Sequence, residues 1–151
     1  RHPILSQESA RTSSIMNTDK KKISKIYEQY VPILGAISYE IFSTNIMQPR
    51  KFSEFWGKYH MRAADVLWFN AHVGVGLYLY QRPHLQRAPV QWRIVYSLFG
   101  TAIFNFGSVL FWGVCKTLMP ESPILRILFG LSSGALLLFV GKRYLDCIDF
   151  V

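Results

Sequence analysis

The sequence predicts an all-α membrane protein. Its C-terminal half is a transmembrane helical hairpin, preceded by a third, short membrane helix and by amphipathic or interfacial helices toward the N-terminus. Three observations predict this. First, residues 94–115 (IVYSLFGTAIFNFGSVLFWGVC) carry no charge. As a helix rising about 1.5 Å per residue they extend roughly 33 Å, enough to cross a bilayer core. Second, another apolar run, 124–141, follows the short connector Met119-Pro120-Glu121-Ser122-Pro123. Third, charge is segregated. Half of the 151 residues are apolar and 17% are charged, which a soluble domain can also reach. Here the charges crowd into residues 1–65 and the connectors, while apolar residues fall in blocks.

The length leaves room for one domain, divided into three parts. Residues 1–30 read as an extended basic arm, with 1–17 lacking regular structure. Arg1, Arg11, several hydroxyl residues and a single acid, Glu8, resemble the end of a mitochondrial transit peptide; a plain polar tail reads the same way. There is no apolar core of a secretory signal. Thr18-Asp19 can cap a helix, and Lys20, Lys21, Lys22 and Lys25 form a solvated face that also holds its side of the membrane.

Residues 31–62 read as amphipathic surface helices. Pro32 suits a helix start, and Ile33, Leu34, Ile37 and Ile41 make one apolar side. Glu40, Asn45, Ser38, Ser43 and Thr44 are too frequent for a lipid-facing span, so this helix is expected against the membrane surface or a partner. After Pro49, Phe52, Phe55, Trp56 and Tyr59 recur at i, i+3, i+4 and i+7, an aromatic stripe on an interfacial helix. Lys51, Glu54, Lys58 and Arg62 flank it.

Residues 63–151 form the membrane domain, with helices at about 63–81, 94–118 and 123–145. The first contains Asn70 and His72, and Gly74 and Gly76 permit close backbone approach. Both its flanks are positive, which argues against a simple crossing. It is read as a short or tilted membrane helix. Trp92 and Arg93 anchor the start of the next span. In the hairpin, Gly100 and Gly107 share a face of the first helix. Gly130, Gly134 and Gly141 share a face of the second, and Gly130-x-x-x-Gly134 is a small-xxx-small pair. Asn105, near mid-span, is expected to face protein, because an unpartnered amide in lipid costs about 2–7 kcal/mol. Pro120 ends the first helix; Ser122 and Pro123 begin the second, and Arg126 must snorkel.

Chemistry-bearing motifs are few. Gly130-Leu131-Ser132-Ser133-Gly134 matches G-x-S-x-G, but that motif works on a strand-to-helix turn, and here it lies in an apolar helix. His72, with His60 and His84 nearby, is the candidate cofactor-binding residue of a b-type haem alternative. The hairpin has no histidine to face it, so a bis-histidine site needs a partner chain. Glu40, Asp65 and Asp146 lack the periodic chain a proton relay needs. Cys115 and Cys147 have no metal or CxxC spacing and read as small apolar side chains. The net charge of +8 belongs to flanks facing anionic phospholipid rather than to nucleic acid, since the basic residues form no compact patch.

No catalytic, metal or cofactor set is therefore expected. The build is similar to that of supernumerary subunits of mitochondrial respiratory complexes, which are small and basic, with one to three spans and an amphipathic arm. That likeness implies a non-catalytic accessory subunit of a respiratory-chain or ATP synthase complex. Such a subunit is multi-pass in the mitochondrial inner membrane, and its partners are other membrane subunits and anionic phospholipids. The alternatives are a haem- or quinone-associated membrane anchor of an oxidoreductase and, more weakly, a small multispan carrier or endoplasmic-reticulum protein.

Overall fold

A computed structural model describes residues 3–150, with side chains from residue 11 onward. It is helical throughout, with no strand among the described residues. Helix α1 runs Pro3–Met47, α2 Pro49–Trp56, α3 His60–Tyr80, α4 Pro83–Gln86, α5 Val90–Leu118 and α6 Pro123–Asp149. A 3₁₀ turn at Gly57–Tyr59 joins α2 to α3. Proline sets most of the starts. Pro49, Pro83 and Pro123 occupy first-turn positions, where the missing N–H is lost at no cost. Gly57, at φ 55°, ends α2 in the left-handed region that other residues avoid.

The second half of α1 packs beside α3, α5 and α6 as a four-helix bundle. It is the shared element, contacting each of the other three, and α6 packs on α1 far more than on α5. Its C-terminal end meets the α5–α6 connector, where Asn45, Ile46 and Pro49 lie beside Lys116, Glu121 and Arg126. Pro32 and Ile33 lie at the other end, beside Gly141 and Lys142.

The bundle is inverted relative to a water-soluble one. Its buried residues are mostly small or polar, among them Ser38, Ser43, Ser97, Thr101, Asn105 and Ser108, around the rings of Tyr39 and Trp112. Its exposed residues include Leu98, Phe99, Ile103, Phe106 and Leu110 of α5, and Leu128, Leu136, Phe139 and Val140 of α6. Water would expel such a surface, whereas hydrocarbon is indifferent to it. The helices α5 and α6 are long and apolar enough to cross a membrane, and little of either is buried within the chain.

Several expectations are corrected. The arm is not extended, because α1 is helical from Pro3 onward. Residues such as Met16, Lys20–Lys22 and Glu28 are adequate helix formers, and the arm lacks glycine. Pro32 does not start a helix but lies inside α1. Residues 31–47 do not form a surface helix, since Gly35, Ser38, Tyr39, Ser43 and Met47 are buried at the bundle centre. Tyr39 finds a partner there in Ser108 and Ser43 bonds back to Glu40 O, so polarity marks the inner face. The aromatic stripe is broken. Gly57 stops α2 after Trp56, Phe52 turns inward at 5% exposure, and Phe55 stays outside at 82%. The membrane-domain helices start earlier or end later than expected, at 60–80, 90–118 and 123–149.

Candidate functional site

The most developed site is the polar seam inside the bundle. On α5, Ser97, Thr101, Asn105, Ser108 and Trp112 recur every three or four residues, so they share one face. Four of them turn back onto their own helix. Ser97 Oγ donates to Arg93 O at 2.8 Å, Thr101 Oγ1 to Ser97 O at 2.6 Å, Asn105 Nδ2 to Thr101 O at 2.9 Å and Ser108 Oγ to Phe104 O at 2.7 Å. Each buried donor is thus satisfied without water.

Two bonds tie this ladder to its neighbours. Tyr39 OH of α1 donates to Ser108 Oγ at 2.7 Å. Trp112 Nε1 donates to Ser133 Oγ of α6 at 3.0 Å. The Tyr39 ring packs between Phe104 and Trp112, with centroids 5.3 and 5.0 Å away. Asn105 faces protein, nearly fully buried. Asn105 stands out in the sequence alone, whereas the ladder does not. Its signal was the spacing of hydroxyls along an uncharged helix.

The glycines form seams, chiefly against α1 and α3 rather than between α5 and α6. A Cβ on Gly130 would meet Met47 Cγ at 3.0 Å, and one on Gly134 would meet the Glu40 carboxyl oxygens at 2.8 and 2.9 Å. Both therefore face α1. Gly100 faces Leu79 of α3, Gly107 meets nothing within 4 Å, and Gly141 faces Phe104 of α5 at 3.5 Å. The tightest seam lies elsewhere: a Cβ on Gly35 would lie 2.5 Å from Gly74 Cα, so α1 and α3 touch backbone to backbone. Glu40, fitted against Gly134, has a buried Oε1 without a hydrogen-bond partner.

At one end of the bundle, Arg82 ties the α3–α4 corner to the end of α6. Its Nη1 donates to Tyr78 OH at 2.9 Å and its Nη2 to Asp146 Oδ1 at 2.6 Å, and it also pairs with Asp149. His84 N–H donates to Asp149 Oδ1 at 3.1 Å. Burial works against the Arg82 charge. The hydrogen bond to Asp146, with Tyr78 and both carboxylates beside it, outweighs that and holds the guanidinium above its ordinary value. At the opposite end, Arg126 Nη2 donates to Lys116 O and Met119 O at 3.1 and 3.0 Å. It caps the C-terminal carbonyls of α5, the negative end of that helix, rather than merely snorkelling.

The remaining predicted residues are scattered. Trp56 and Tyr59 are exposed, as is Trp92, which stacks on Tyr96. Arg93 lies 3.7 Å from the centroid of the Tyr80 ring and donates to Tyr80 O at 2.7 Å. His72 Nδ1 bonds to Trp68 O at 2.8 Å, while its Nε2 is buried between aromatic rings without a partner. Among the described residues, no three of His, Cys, Asp and Glu gather closely enough to hold a metal ion. Ser132 and Ser133 lie inside α6. Cys115 and Cys147 are free thiols. Compared with protein families, curated proteins and solved structures, the chain matches none.

Proposed function

We propose that the chain is a non-catalytic accessory subunit of a multi-protein complex in the mitochondrial inner membrane, of the respiratory-chain or ATP synthase kind. It would stabilise that complex through helix packing and lipid contacts. One observation carries this reading. Every described side chain from Arg11 to Tyr30 is exposed, and Ile23, Ile26, Tyr30, Ile33 and Ile37 make an apolar stripe at helical spacing that this chain leaves uncovered. A helix of that kind needs other chains along it. The small, basic build with an amphipathic arm supports the mitochondrial compartment. In this reading α3 and the second half of α1 cross the bilayer with α5 and α6. The exposed Phe55, Trp56, Tyr59 and Trp92 then sit at headgroup level. Blue-native electrophoresis in mild detergent tests it. We expect the chain to migrate with a large assembly, and Ile23→Asp with Ile26→Asp to release it; migration of the wild type as a small monomer overturns the proposal.

A second reading, a haem-bearing membrane subunit with His72 as axial ligand, is favoured by the buried, unpartnered Nε2 whose ring is fixed through Nδ1. The purified assembly decides it, because a Soret band that is absent, or unchanged in His72→Ala, removes it.

A further inference from the structure

An apolar cavity of about 520 Å³ opens on the flank of the bundle between α1, α3, α5 and α6. At the deep end it is lined by Gly74, Phe104 and Leu138; toward the end of the bundle it is lined by Tyr78, Lys142 and Leu145. Because α6 runs from Leu138 to Leu145 over about 10 Å, the slot reaches that far inward from the polar end of the bundle. Small residues keep it open. Gly141 and Ala36 line it, and a Cβ on Gly141 would already touch the Phe104 ring. Its volume lies in the range of sites that hold a small organic ligand or one chain of a lipid.

The mouth carries one loosely held positive charge. Asp149 is engaged by Arg82 and His84, and Asp146 by Arg82 at 2.6 Å. Lys142 reaches Asp146 only at 3.6 Å and is 64% exposed at the slot entrance. In a bilayer, an apolar slot with an exposed lysine at its mouth matches an acyl chain in polarity and an anionic headgroup in sign.

We propose that this slot binds one acyl chain of an anionic glycerophospholipid, with the lipid phosphate against Lys142. The lipid would fill the space left by Gly141 and Ala36 and complete the contact between α6 and the α1–α3 pair. This deepens the lipid-contact part of the proposed function and rests on residence in a bilayer, not on membership of any particular complex.

The test is native mass spectrometry of the full chain released from nanodiscs containing equal amounts of phosphatidylglycerol and phosphatidylcholine. The wild type is expected to retain one phosphatidylglycerol in preference to phosphatidylcholine by about fivefold, as one lysine near a lipid phosphate supplies. Lys142→Gln, a change at an exposed side chain, should abolish the preference but keep a bound lipid. Gly141→Leu and, independently, Ala36→Leu fill the slot and should release the lipid, with helicity by circular dichroism checking the fold. A wild type that emerges without lipid, or an undiminished preference in Lys142→Gln, overturns the proposal. So does lipid retention in both filled variants. None of these outcomes bears on migration with a large assembly, so the two proposals can fail separately.

Discussion

Gly35 and Gly74 meet where no side chain fits, and that contact makes a graded prediction possible. A methyl on either would sit against backbone that cannot give way. Gly35→Ala or Gly74→Ala should therefore cost about 1–3 kcal/mol, the usual penalty of overpacking. At Gly134 the obstacle is the end of the Glu40 side chain, which can swing, so Gly134→Ala should cost less. Gly107 meets nothing within 4 Å, and Gly107→Ala should be neutral or stabilise by up to about 1 kcal/mol through helix propensity. Unfolding in mixed micelles of denaturing and mild detergent ranks the four. If Gly107→Ala is as harmful as Gly35→Ala, the glycines do not act through these contacts.

At the scale of the element, α1 and α5 are joined by side chains that hydropathy counts against a membrane. The Tyr39–Ser108 hydrogen bond links the two helices in a dry interior. A double-mutant cycle with Tyr39→Phe and Ser108→Ala should return a coupling of about 0.6 kcal/mol and no more than about 1.7 kcal/mol, the range found for such bonds in lipid. A coupling of zero would mean the hydroxyls are satisfied separately. The two C-terminal spans were legible in the sequence because a long uncharged run has few other uses. The placement of residues 31–47 was not legible because Ser38, Ser43 and Glu40 lower mean hydropathy whether they face water or a polar seam. Only the partner helix decides which, and periodicity does not name the partner. The glycine seam was half legible for the same reason. Gly130 and Gly134 share a face, but nothing local says that the face meets α1 instead of α5.

For the whole molecule, the antiparallel order of the bundle fixes which charges lie together. The α1–α2 corner lies beside the α5–α6 connector, and the α3–α4 corner lies beside the end of α6. Lys20, Arg82 and Lys142 then belong to one end, and Arg50, Lys58, Lys116 and Arg126 to the other. Both ends are basic, so the rule that retains positive charge on one side gives no orientation here; packing must set the topology. If all four bundle helices cross, Cys147 should react with a membrane-impermeant maleimide from the same side as a cysteine placed by Lys22→Cys, and from the side opposite Lys58→Cys, in a Cys115→Ser background. If α1 and α3 instead lay flat on one surface, the bundle would have to open. In that case Lys58→Cys and Cys147 would label from the same side. That result would leave α5 and α6 as the sole spans and would break the seams of Gly130 and Gly134 with α1. Side-specific labelling thus tests the fold and the membrane embedding in one measurement.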